Sequence, residues 1–163
     1  TTYAPPYAYT NGATATVTGD LLTNAGDSTL FSSVNSSGVL YWEGQIQSNG
    51  TLTLSNGNSL GGLRIEFSNG TMYTKFSDGA DETSSYSIGT DYKIAVRYGS
   101  GITKIYVNGV DVDDGTYTTT LTDIDRFNLS YETGAFLPFY GKTKQIMVLN
   151  YLDDTAMQNL TTP

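Results

Sequence analysis

The polar side chains that alternate along the predicted strands are the part of the sequence best suited to chemistry. They combine aromatic rings with charged and amide groups: Tyr41, Glu43, Gln45, Arg64, Glu66, Tyr73, Lys75, Arg97, Lys104 and Tyr106. Sugars are bound by stacking on aromatic rings, together with planar polar groups that hydrogen-bond to hydroxyls. If several of these strands are neighbours in one sheet, their shared face is a candidate carbohydrate site. The alternatives are a solvated face with cross-strand ion pairs and an interface with an identical chain.

From that set, seven side chains are the candidate ligand-binding residues. They are Tyr41, Glu43, Arg64, Tyr73, Lys75, Arg97 and Tyr106. Trp42 is the only tryptophan, and it invites a sugar-stacking hypothesis as well. Its neighbours by alternation, Leu40 and Ile46, are apolar, so the pattern favours a core position for Trp42.

Two acidic runs are candidate calcium sites, because carboxylate and carbonyl oxygens are the ligands that calcium prefers. The first contains Asp78, Asp81 and Glu82 in the predicted loop 77–85. The second is formed by Asp111, Asp113 and Asp114. Neither run has the full EF-hand spacing, and a solvated turn is the alternative for each. No other cofactor is expected.

Histidine and cysteine are both absent from the sequence. Their absence excludes Ser-His-Asp and Cys-His catalysis, histidine or thiolate metal sites, and disulfides. A glycosidase can work with two carboxylates alone, but no acid/base pair is recognisable in the sequence. We therefore expect a protein that is not an enzyme.

The charge of the chain excludes two further classes of partner. The net charge is −8, and the 8 lysines and arginines are scattered rather than clustered. A surface that binds nucleic acid or an anionic membrane needs clustered basic residues. No apolar run approaches the roughly 20 residues that a membrane-spanning helix requires. The acidic balance suits an extracellular or virion-surface protein.

Alternation with a period of two predicts an all-β domain. The clearest example is the meander at 91–112, in which Asn108-Gly109 supplies the positive φ angles of a two-residue turn. The other predicted strands are 13–17, 29–34, 39–46, 51–54, 63–67, 72–76, 117–121, 126–131 and 139–149. Residues 1–12 are predicted to be a linker or arm, and 13–163 a single domain.

Inside that domain, the hairpin at 63–76 should bury Leu63, Ile65, Phe67, Met72, Thr74 and Phe76. Phe127, Leu129 and Tyr131 should also face inward. A short helix is predicted over 153–160, capped by Asp153 or Asp154, with Leu152, Ala156 and Leu160 docked on a sheet edge. Two packed antiparallel sheets are the expected architecture.

Three stretches carry a resemblance to a known family. They are TGDLLTNAGDSTLFSSVNSSGVLYWEGQI at 18–46, DYKIAVRYGSGITKIYVNGVDV at 91–112 and PFYGKTKQIMVLNYLDDTAMQNL at 138–160. Together they resemble laminin-G-like, concanavalin A-like jelly-roll domains, in the form found in bacteriophage fibres, tails and head appendages. The resemblance implies a two-sheet jelly-roll β-sandwich with one short C-terminal helix.

The resemblance also implies a function. The strands around Glu43 lack the paired carboxylates of jelly-roll glycanases, which speaks against catalysis. The expected function is a virion surface domain that binds host cell-surface carbohydrate. One alternative is a structural or oligomerisation domain of a phage fibre or capsid, with other virion chains as partners and a trimer if in a fibre. The second alternative is a carbohydrate-binding module attached to a glycan-degrading enzyme.

Overall fold

A computed structural model provides the structure of the protein. It describes residues 25–26, 28–34, 36–57, 62–76, 81–99, 103–113, 121, 123–131 and 137–163. The predicted arm at 1–12, the predicted strand at 13–17 and all but the last residue of the strand predicted at 117–121 lie outside these ranges. So do Asp78 and Asp114, and nothing is described of the side chain of Asp81.

Two antiparallel sheets of five strands each form the body of the protein, which confirms the predicted β-sandwich. The strands are β1 Gly38–Ile46, β2 Gly50–Ser55, β3 Gly62–Ser68, β4 Thr71–Phe76, β5 Asp81–Ser85, β6 Asp91–Tyr98, β7 Lys104–Val107, β8 Val110–Asp111, β9 Arg126–Asn128 and β10 Gly141–Leu149. The first sheet has the order β10-β1-β6-β7-β8, and the second sheet has the order β5-β4-β3-β2-β9.

Asn-Gly turns set the register of two hairpins. Asn69 and Gly70 join β3 to β4 with φ angles of 51° and 83°, and Asn108 and Gly109 join β7 to β8 with 51° and 80°. Positive φ at both positions matches the right-handed twist of paired strands. The predicted meander at 91–112 is therefore β6, β7 and β8 of the first sheet.

The core lies between the two sheets and is aromatic at its centre. Trp42 is fully buried, and its ring lies 5.5 Å from that of Phe139 and 5.9 Å from that of Phe67. The predicted inward residues of the β3–β4 hairpin are all buried, and the residues between them are half-buried on the outer side. The alternation therefore predicted the facing of both strands correctly.

A single helix, α1 at Asp154–Thr161, is present in the described part of the chain. Asp153 caps it, as predicted, by accepting a hydrogen bond of 2.8 Å from the Ala156 amide. The prediction that it docks on a sheet edge is wrong. The helix lies on the outer face of the first sheet, where Met157 is fully buried, because Val39, Tyr41, Ala95 and Tyr106 form an apolar patch there that needs covering.

Three predictions of secondary structure need correction. Residues 29–34 form turns closed by the Val34 amide on the Phe31 carbonyl (3.0 Å), not a strand. The acidic stretch at 77–85 was predicted to be a loop, yet Asp81–Ser85 pairs with β4. The strand predicted at 126–131 ends at Asn128.

In the described residues, no helix is long and apolar enough to cross a membrane.

Candidate functional site

The predicted ligand-binding residues are divided between the two sheets. Arg64, Tyr73 and Lys75 lie on β3 and β4 of the second sheet, whereas Tyr41, Glu43, Arg97 and Tyr106 lie on β1, β6 and β7 of the first. All of them face away from the core, as the alternation predicted. Because the two sets lie on opposite outer faces of the sandwich, they do not form one site.

Helix α1 covers three of the residues on the first sheet. Tyr41, Arg97 and Tyr106 are only 2%, 5% and 6% exposed. Arg97 Nη1 donates to Asp154 Oδ1 at 2.7 Å and to the Leu152 carbonyl at 3.2 Å, so this side chain holds the start of the helix. Rings this deeply covered leave no surface on which a sugar can stack, and these three residues therefore have a structural role.

Tyr41 connects the buried patch to the polar part of the same face. Its hydroxyl donates a hydrogen bond of 3.0 Å to Glu43 Oε2. Burial raises the pKa of Tyr41 to about 12, and the hydrogen bond to Glu43 and its negative charge act in the same direction. All three effects favour the neutral phenol.

We predict that this phenol makes the free energy of unfolding decrease at alkaline pH. The pKa is 10.0 for a free tyrosine and about 12 for folded Tyr41, so the folded state holds the proton more tightly. The stabilisation is complete below pH 10 and is lost as the pH rises toward 12. Urea unfolding measured across this pH range should show that Tyr41→Phe loses less unfolding free energy than the unsubstituted protein does. An identical loss in both proteins would contradict the assignment, even though burial also raises the pKa of Tyr98 and Tyr106.

On the second sheet, neighbouring strands bring together what we call the second-sheet patch: Arg64, Glu66, Tyr73, Lys75 and Tyr131. Arg64 pairs in register with Lys75, and Glu66 with Tyr73. The Arg64 guanidinium lies 4.5 Å from the centre of the Tyr131 ring, and Lys75 Nζ lies 5.0 Å from that of Tyr73. These cation–π contacts orient both rings, which remain half-buried rather than covered.

The chain after β9 forms one wall of this patch. Thr53 Oγ1 donates a hydrogen bond of 2.8 Å to the Ser130 carbonyl, which fixes this segment over the outer side of β2. Thr51, Thr53 and Ser55 on that side are buried. Tyr131 follows at once and reaches Arg64. Its predicted inward facing is wrong, because the alternation stops where β9 ends. No sequence pattern indicated its role, since the contact with β2 is long-range.

The acidic runs show no metal site in the described part of the chain. Glu82 pairs in register with Thr74, so it faces the inner side of the second sheet and is buried. Asp111 forms an ion pair of 2.8 Å with Lys104 and accepts from the Asp113 amide. No three acidic side chains among the described residues come close enough to hold a metal ion. The calcium site of Asp78, Asp81 and Glu82 stays a prediction.

Comparison with known sequences identifies no relative. No protein-family model matches the sequence, and no curated protein sequence is significantly similar to it. The fold, by contrast, is shared with many solved structures.

Three of these similar structures come from glycan-degrading systems. The CBM40 of the Ruminococcus gnavus IT-sialidase, bound to α2,3-sialyllactose, is 14% identical, with a TM-score of 0.64 over 90% of this chain and 97% of that chain. Domain 4 of AbnA, a Geobacillus stearothermophilus extracellular arabinanase, in complex with arabinotriose, is 15% identical, with a TM-score of 0.65 over 84% and 70%.

The third is Trypanosoma rangeli sialidase, which is 16% identical with a TM-score of 0.64. The match covers 80% of this chain but only 23% of that chain. At identities this low, the similarities show a shared β-sandwich fold.

Proposed function

We propose that this chain is a non-catalytic carbohydrate-binding domain whose sugar contacts lie on the second-sheet patch. One observation carries the proposal. Adjacent strands bring Arg64, Tyr73 and Lys75 of the predicted set together, and Tyr131 joins them from the chain after β9. The patch therefore combines oriented aromatic rings with charged hydrogen-bonding groups, on a face that no helix in the described part of the chain covers.

Binding at such a patch is non-covalent. A sugar ring stacks through its C–H groups on Tyr73 or Tyr131, while Arg64, Glu66 and Lys75 hydrogen-bond to its hydroxyls. The rings are already oriented by their cation–π contacts, so little side-chain freedom is lost on binding. Single sites of this kind are weak, and display of several copies would raise the avidity.

The similar structures support this ligand class and favour one setting. Two of them are named with bound sialyllactose and arabinotriose, and each belongs to a glycan-degrading enzyme. A carbohydrate-binding module of such an enzyme is therefore the setting we favour, and it implies an extracellular location. The virion surface domain rests on the sequence resemblance alone and stays a prediction.

The chemistry of the patch agrees with binding rather than hydrolysis. Glycoside hydrolysis uses two carboxylates that flank the scissile bond. Among the side chains that the structure describes, the patch contains one carboxylate, Glu66, which lies 3.5 Å from Arg64 Nε. A reducing-end assay with mixed polysaccharides tests this directly, and release of sugar would contradict a non-catalytic domain.

The binding test uses Tyr73→Ala and Arg64→Ala, titrated by calorimetry with sialyllactose and with arabinotriose. Each substitution should weaken binding at least about tenfold, which corresponds to a loss of about 1.4 kcal/mol. Tyr140→Ala and Lys142→Ala are matched controls, because they remove a tyrosine and a lysine outside the patch. Equal weakening by the controls would refute the site. Failure to bind either sugar, or any sugar on a glycan array, would refute the function.

The same variants test the alternative of an oligomerisation domain. Light scattering measures whether the isolated domain is a monomer. If Tyr73→Ala dissociates an oligomer and leaves sugar binding unchanged, the second-sheet patch is an interface between chains rather than a glycan site.

A further inference from the structure

A polar pocket of about 450 Å³ lies on the other side of the sandwich, at the part of the first sheet that α1 leaves uncovered. It is lined by Glu43, Asp91, Tyr92, Lys93, Asn108, Lys144 and Pro163. None of these residues belongs to the second-sheet patch. The pocket contains carboxylates, ammonium groups and an amide. The ring of Tyr92 packs against the core on the inner side of β6, and its hydroxyl accepts a hydrogen bond of 2.7 Å from the Ser87 amide.

A bulge in β10 places Lys144 at this pocket. Glu43 pairs with Gln145 while the next residue, Gly44, pairs with Thr143, so that Lys144 is an extra residue in the ladder. A bulge of this kind redirects a side chain. Lys144 Nζ lies 3.0 Å from Asp91 Oδ2 and 3.8 Å from Glu43 Oε1, which places the ammonium between the two carboxylates.

Glu43 is held so that one carboxylate oxygen remains available to a ligand. The buried hydroxyl of Tyr41 donates to Oε2 at 3.0 Å, which fixes the carboxylate plane. Oε1 lies on the side of Lys144, at a distance too long for a hydrogen bond. The fold therefore orients this acceptor before any ligand binds.

The opposite wall of the pocket is also fixed. The Lys93 amide donates to Asn108 Oδ1 at 2.8 Å, and Lys93 Nζ donates to the Thr162 carbonyl at 2.8 Å. These bonds tie β6, the β7–β8 turn and the end of α1 together. A pocket with rigid walls and a few convergent polar groups is the form that small-ligand sites take.

We propose that this pocket is a second sugar-binding site, which takes a neutral sugar through two neighbouring hydroxyls. One hydroxyl donates to Glu43 Oε1 and the next accepts from the Lys144 ammonium. A neutral ligand fits because the two carboxylates are balanced by two ammonium groups, while an acidic sugar would meet Glu43 and Asp91. The inference shares only its ligand class with the proposed function.

With two sites on opposite faces, a single copy of the domain would hold two glycan chains, or two branches of one glycan, at the same time. Engagement of both sites raises the avidity for a branched or clustered glycan without any new contact.

The test is a titration with the neutral sugars arabinotriose, lactose and maltotriose, followed by NMR of the backbone amides. The variants are Glu43→Gln and Lys144→Ala, and Lys142→Ala is the matched control because it is exposed on the same strand and does not line the pocket. We expect one of the sugars to shift the amides around Asp91, and both pocket variants to weaken that binding about tenfold. Lys142→Ala should leave it unchanged.

The outcomes separate this inference from the proposed function. Sugar binding that is lost only in Tyr73→Ala and Arg64→Ala overturns the pocket and leaves the second-sheet patch. Binding that is lost only in Glu43→Gln and Lys144→Ala supports the pocket and overturns the patch. No neutral sugar binding, or equal weakening by Lys142→Ala and Lys144→Ala, also overturns the pocket. Lys144 is more than half exposed, so its substitution should leave the fold intact.

Discussion

Replacing Trp42 with alanine should lower the free energy of unfolding by about 3–5 kcal/mol, the usual cost of deleting a large buried aromatic ring. Trp42 is fully buried, and the Phe139 ring meets it edge to face at 5.5 Å. Its indole N–H donates to Thr143 Oγ1 at 3.1 Å, so the substitution removes a hydrogen bond as well as apolar contact. The cavity would lie where the two sheets meet, with Phe67 and Phe139 on its walls.

Urea unfolding measures this loss, and two further variants define its origin. Trp42→Phe keeps most of the ring and should cost less than the alanine variant. Ile88→Ala serves as the control, because Ile88 is 63% exposed and its truncation should change stability by less than about 0.5 kcal/mol. A loss below about 1 kcal/mol for Trp42→Ala would show that Trp42 is not the centre of the core.

The fold was predictable from the sequence wherever the signal is local. Alternation fixes which side of a strand is apolar, and an Asn-Gly pair fixes the turn that joins two strands. The β3–β4 hairpin satisfies both conditions, and every predicted inward side chain in it is buried. The helix and its Asp153 cap were likewise readable from a few consecutive residues.

The wrong predictions fall where a long-range partner decides the structure. Asp81–Ser85 is acidic and polar, and it becomes a strand because β4 offers it a hydrogen-bonding edge. Residues 29–34 do not alternate strictly, because Leu30 and Phe31 are adjacent. They form turns from which Phe31 and Val34 reach the core between the sheets. Neither outcome is encoded in the period of the segment itself.

Only part of the candidate site could be predicted from the sequence, again because long-range pairings decide the rest. Alternation showed correctly that Tyr41, Tyr73 and Tyr106 face outward from the core. It could not show that β1 belongs to one sheet and β4 to the other, because sheet order depends on pairings far apart in the chain. Nor could it show that Met157 of α1 packs against Tyr41 and Tyr106 and buries both side chains.

Replacing Met157 with aspartate should release α1 from the first sheet. Met157 is fully buried against Val39, Tyr41, Ala95 and Tyr106 on the outer face. Truncation of a buried methionine to alanine costs about 2–5 kcal/mol, and a carboxylate at the same position costs more because it has no partner there. We expect a lower unfolding midpoint in urea, faster amide exchange in Asp154–Thr161 and greater solvent access to Tyr41 and Tyr106.

Sugar binding in the same variant shows which face of the sandwich contacts the ligand. The second-sheet patch is on the opposite outer face, so its affinity should stay within about twofold of the unsubstituted protein under conditions in which the variant is folded. Asn159→Ala is the control for the helix itself, because Asn159 is exposed on α1 and should affect neither stability nor exchange. If releasing the helix strengthens sugar binding by exposing Tyr41 and Tyr106, the glycan site belongs to the first sheet, and α1 regulates access to it.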